Sequence, residues 1–186
     1  MKKFFAVLIT AVVLAFSAGA ATAADWDYVK GGVTANDVRD VSFNAYTVGA
    51  SKSLGDKFFV QGNYTNATDS DFSAGTVDLA FGVHASLLPR SDVYGKVTAS
   101  VLVDDIRGLD KYAYEAEAGI RTQVLKNLEL RGGVVAANLR DANLDKVEWL
   151  GTVGAELKLN DNLRLGVDVK GKNEVLIGEL GLRYYF

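Results

Sequence analysis

The chain holds a single histidine, His84, with Ser86 two residues further on, and a hydroxyl beside an imidazole is the least that nucleophilic catalysis needs. No acidic residue adjoins the pair to orient the base, so the pattern reads as a structural histidine hydrogen-bonded near Lys96 or Ser86. Glu115 and Glu117 share one face of a strand, the kind of pairing that cleaves glycosides, but that face carries many other charges and reads as salt-bridged. Aspartates gather between the patterned segments: Asp37 and Asp40; Asp69 and Asp71; Asp104, Asp105 and Asp110; Asp141 and Asp145. Hard cations favour such oxygens, yet no calcium-loop spacing is present, and solvated loops account for them. Asn63-Tyr-Thr65 and Asn66-Ala-Thr68 match a glycosylation sequon by chance. No catalytic, cofactor or metal residue is assigned, and no enzyme activity is expected.

What would position these residues is a succession of strands. From about residue 26 apolar residues recur at every second position, which is strand periodicity. Three short turns are built alike, Leu54-(Gly-Asp-Lys)-Phe58, Val124-(Leu-Lys-Asn)-Leu128 and Leu159-(Asn-Asp-Asn)-Leu163, and a longer one joins Leu87 to Val93. They recur about every 35 residues, the length of a hairpin with its connections. Between them lie polar connections at 35–41, 66–74, 104–110 and 139–145, each about seven to nine residues, and a tight turn at Lys172-Asn173. This predicts ten strands, at about 26–34, 42–53, 58–65, 76–87, 93–103, 112–124, 128–138, 147–159, 163–170 and 175–186, with eight as the competing count. The second segment changes phase near Ala45, which predicts a bulge there.

The two faces differ sharply. Over the last seven strands one face runs through residues such as Val77, Leu79, Val97, Ile120, Val134, Trp149, Val153, Val167, Leu180 and Leu182 without a charge. The other carries Asp78, Glu115, Glu117, Glu129, Glu148, Glu156, Asp168 and Glu179 against Lys96, Arg121, Arg131, Lys158, Arg164, Lys170 and Arg183. Near-equal opposite charges suit a lumen of paired groups. Aromatic residues gather at strand ends: Trp26, Tyr28, Phe58, Phe59, Tyr94, Tyr184, Tyr185 and Phe186 toward the short turns; Tyr46, Tyr64, Phe72, Tyr112, Tyr114 and Trp149 toward the other end. Two aromatic belts around a band of Val, Ala, Gly and Leu are what membrane interfaces favour. A soluble lipocalin-type barrel would have to bury the charges or a core of small residues.

The first 23 residues read as a secretory signal peptide: Lys2 and Lys3, an apolar run from Phe4 to Phe16 too short to span a bilayer, and small residues ending in Ala21-Thr22-Ala23. Residues 24–186 then form one domain. The formal charge of −3 becomes two units more negative without Lys2 and Lys3, which argues against a nucleic-acid partner. No cysteine is present, so an exported chain is held without disulfides.

With Leu176, Gly178, Leu180, Leu182, Tyr184 and Phe186 alternating to the end of the sequence, the chain resembles the small outer-membrane β-barrel proteins of Gram-negative bacteria, the group of the OmpA transmembrane domain and the OmpX/Ail and opacity proteins. The resemblance implies an antiparallel up-and-down transmembrane barrel in the cell outer membrane, in contact with its lipid and lipopolysaccharide. It also implies that Leu180, Leu182, Tyr184 and Phe186 are read by the barrel-assembly machinery. A monomer is expected. Ten strands depart from the eight usual in that group. Three functions stay open: a structural or surface-interaction barrel closed by charge pairs, a narrow passive channel, and an enzyme, against which His84 stands at the wrong end. Inward glycines at Gly82, Gly119, Gly133, Gly154, Gly166 and Gly181 are expected to leave room for water in the lumen.

Overall fold

The computed structural model describes residues 26–38, 41–68, 73–103, 112–138, 147–172 and 175–186. Ten strands follow in chain order: β1 (Tyr28–Val38), β2 (Val41–Leu54), β3 (Phe58–Thr68), β4 (Ser73–Leu88), β5 (Ser91–Leu102), β6 (Tyr112–Leu125), β7 (Leu128–Asn138), β8 (Val147–Lys158), β9 (Leu163–Lys172) and β10 (Val175–Tyr185). Each pairs antiparallel with its neighbours in sequence, and β1 pairs with β10 from Tyr28↔Tyr185 to Val38↔Val175, closing the barrel. Eight strands is thereby excluded. The register offsets carried round the ten pairings accumulate a stagger of about 12 residues. With ordinary strand spacings this sets a tilt of about 40° and a backbone radius of about 10 Å.

Several boundaries differ from the sequence reading. β1 continues to Val38 and β2 resumes at Val41, so the connection expected over 35–41 is mostly strand; β3 likewise runs to Thr68 and β4 starts at Ser73. Asn, Asp and Thr at these ends keep the alternation, and polar residues on a strand end beyond the apolar band are solvated as well as in a loop. The bulge expected near Ala45 is absent, since β2 keeps unbroken register with both neighbours. Register shifts occur instead at Ser86/Leu88 and Gln123/Leu125, beside the short turns, where the strands must bend to close. The long turn expected between Leu87 and Val93 contracts to Pro89 and Arg90. Gly55 has φ 70°, which suits the residue opening the Gly-Asp-Lys turn.

The outward face is apolar and exposed: Leu79 and Val153 are 65% and 61% accessible, and Val33, Val48, Val134, Val167, Leu180 and Leu182 also point out. A soluble protein of this size does not leave such a continuous band in water. At the end opposite the short turns, Tyr46, Tyr64, Tyr112, Tyr114 and Trp149 stand on it. At the short-turn end the belt consists of Phe58, Tyr184 and Phe186, with Phe81 stacked on Phe58 at 5.8 Å. The other aromatics expected in that belt, Trp26, Tyr28, Phe59, Tyr94 and Tyr185, are buried inside the barrel instead. Phe72 lies outside the described residues.

Candidate functional site: the barrel lumen

Every second residue of each strand points inward, and the inner wall divides into layers. Nearest the short turns, Trp26 stacks on Phe59 at 3.8 Å and 12°, with His84 at 5.4 Å, Tyr94 at 5.9 Å and the Arg121 guanidinium 4.9 Å from its ring. Phe59 is wholly inaccessible to solvent. Inward glycines make this packing possible. A Cβ at Gly82 would collide with the Phe59 ring, one at Gly119 would lie 2.7 Å from the Tyr94 ring, and one at Gly154 would collide with Asp168. At these three of the six inward glycines the space is filled by large neighbours, while a polar cavity remains elsewhere in the lumen.

The other half of this layer is ionic. The Glu156 side chain is fully buried and meets three arginines: Arg183, Arg164 at 3.1 Å and Arg131 at 3.7 Å; the Tyr185 hydroxyl also donates to it at 2.9 Å. Asp168 accepts from Arg131 at 2.6 and 2.9 Å and from Arg183 at 2.8 Å. The Arg164 guanidinium lies over the Tyr185 ring at 3.9 Å, and Arg121 pairs with Glu129 at 2.6 Å. A buried carboxylate is tolerable only when donors surround it, and delocalised arginines supply them.

Farther from the short turns the pairs are simpler. Lys96 meets Glu117 at 2.9 Å, to which Tyr94 also donates at 2.6 Å; Lys170 meets Glu115 at 2.7 Å; Lys30 meets Glu179 at 2.9 Å. Glu148 lies 3.9 Å from Lys172, and Lys158 leaves the lumen to meet Asp161 in the turn at 2.9 Å. Asp78 lines a polar cavity of about 300 Å³ between the aromatic layer and the opposite end, with Gln61, Asn63, Thr98, Ser100 and Thr152. Thr34, Thr47 and Thr65 form a hydroxyl ladder at 3.4 and 3.0 Å. An apolar patch of Val135, Ala137, Leu150, Val175 and Ile177 also faces inward, alongside the polar and charge-paired residues expected there.

The hydroxyl, imidazole and carboxylate groups singled out in the sequence have these partners in the barrel. The Ser86 hydroxyl donates to Asp92, its cross-strand partner, and His84 packs among rings. Asp92 is an acidic neighbour of Ser86 that sequence adjacency could not reveal. Glu115 and Glu117, read from the sequence as salt-bridged, are each paired with a different lysine, Lys170 and Lys96. Of the loop aspartates, only Asp37 is among the described residues. Sequence reasoning missed Trp26, Tyr28, Lys30, Phe59, Gln61, Tyr94 and Tyr185 as lumen residues; counting alternation back from the short turns would have found the strand-borne ones. Just outside the barrel wall, Asp27 bonds the Lys52 ammonium and accepts from the Ser53 N–H at 2.6 Å; the Lys52 bond chiefly holds its carboxyl down at about 2.

No protein-family model matches the chain, and no curated protein sequence matches it. Among solved structures, it is similar to the KdgM porin with TM-score 0.54 at 9% identity, covering 84% of this chain and 99% of that one. The fold is that of a transmembrane β-barrel. A KdgM porin in complex with disordered oligogalacturonate aligns with TM-score 0.53 at 11% identity, over 86% of this chain and 99% of that one. Neisserial surface protein A aligns less closely, at TM-score 0.43 and 16% identity over 86% and 96%.

Proposed function

We propose that this protein is an integral outer-membrane barrel, exported by a cleaved signal peptide, whose lumen is occluded and whose role is structural or surface-interacting without catalysis. One observation carries the reading. Trp26, Tyr28, Phe59, Tyr94, Glu156, Arg183 and Tyr185 line the lumen near the short turns, and all are buried. Residues on the wall of a water-filled pore would be wetted, so this layer is a septum. Lipid and lipopolysaccharide are its surroundings, and the alternating end from Leu180 to Phe186 serves the barrel-assembly machinery.

A narrow passive channel is the second reading. The 300 Å³ polar cavity beyond the septum favours it, as does the likeness in fold to a porin. Planar-bilayer recording on refolded residues 24–186, with heat-dependent gel mobility to certify the fold, separates the two. Silence is expected; stable conductance steps in the unaltered barrel would replace the closed reading with the channel.

A further inference from the structure

We propose that Trp26 is a removable stopper and that its displacement opens a polar pathway for small solutes through the barrel. The inference rests on the closed-lumen reading and adds a regulated state to it. Trp26 precedes β1, which begins at Tyr28, so its side chain is carried by the segment leading into the barrel and not by a wall strand. It is joined to β1 yet touches Phe59 on β3, His84 on β4, Tyr94 on β5 and Arg121 on β6. In a ten-stranded barrel β6 lies opposite β1, so the indole reaches across the lumen.

The backbone that carries Trp26 is held differently from the rest of the septum. Glu156 and its arginines are fixed on paired strands, whereas the segment at Trp26 is tied by Asp27, through Lys52, the Ser53 N–H and a 3.3 Å bond from the Phe186 N–H to the Asp27 carbonyl. The indole Nε1 is buried without a hydrogen-bond partner, so the seated ring forgoes a bond that it would regain in water. Cleavage after Ala23 would leave Trp26 as the third residue of the chain, with little behind it to resist withdrawal. On its far side lies the polar cavity, whose lining includes Trp26 itself. Lysine–carboxylate pairs line that cavity, so the opened path would pass small polar solutes of either charge.

Single-channel recording on refolded barrels tests this. Trp26→Ala should show stable conductance steps that the unaltered barrel lacks. Asp27→Asn, which keeps the ring and loosens its tie, should show brief openings and decides the matter if Trp26→Ala does not refold. Silence from both variants, each heat-modifiable on gels, would overturn the stopper and leave the closed barrel standing. Steps in the unaltered barrel equal to those of Trp26→Ala would overturn both readings.

Discussion

At the scale of single residues, two tryptophans occupy opposite environments, and this makes the inside-out arrangement measurable. Trp149 is 44% exposed on the lipid face, whereas Trp26 is 7% exposed in the septum. In vesicles, brominated acyl chains should quench the emission of Trp26→Phe, which retains Trp149, and spare that of Trp149→Phe; the opposite order would turn the faces round. The tie at Asp27 has a definite pH limit. Its carboxyl is depressed from 3.8 to about 2, so the stabilisation it lends is fully present above about pH 4 and lost as pH falls through about 2. The shielding of Trp26 should therefore persist unchanged from neutral pH to about 4. Glu156 is the most demanding residue in the lumen because three arginines converge on its inaccessible side chain. Glu156→Ala strands those charges and should cost about 3–5 kcal/mol in urea unfolding; a loss below about 1 kcal/mol would mean that Asp168 takes them over.

At the scale of elements, the last seven strands were legible because each carries a period of two with charge confined to one face. The terminal β10 shows it plainly, with Leu176, Leu180, Leu182 and Tyr184 out and Glu179, Arg183 and Tyr185 in. What eluded the sequence was local. Polar composition at Asn36 and Asp37 imitates a turn while the backbone stays paired, and the shifts at Ser86/Leu88 and Gln123/Leu125 answer closure of the barrel, which no single strand records. The septum was hidden for another reason: Phe59, Tyr94 and Tyr185 fit an interface belt by type and position along the strand, and only parity sends them inward. Parity also sets a mutational contrast on β8. Val153→Arg, on the lipid face, should destabilise by about 2–4 kcal/mol. Thr152→Arg, on the cavity wall, should cost less; the reverse order would show that the apolar band does not meet lipid.

At the scale of the whole molecule, an even number of strands brings both described ends to one rim, where the Phe186 N–H meets the Asp27 carbonyl. The turns on that rim are short, from Gly55 to Lys57, at Pro89 and Arg90, and at Lys126 and Asn127. The connections at the other rim include the longer ones, between Leu102 and Tyr112 and between Asn138 and Val147. In bacterial outer-membrane barrels short turns face the periplasm and longer loops face out. A chain delivered from the periplasm would then have to pass only the far connections through the bilayer, while its ends, the Trp26 stopper and the aromatic septum stay on the side of delivery. An epitope inserted at Asn143 should accordingly bind antibody on intact cells. The same epitope at Asp161, in the turn between β8 and β9, should bind only after the outer membrane is breached. Equal labelling at both sites in intact cells, or labelling at Asp161 alone, would reverse the barrel in the membrane and put the stopper at the outer mouth.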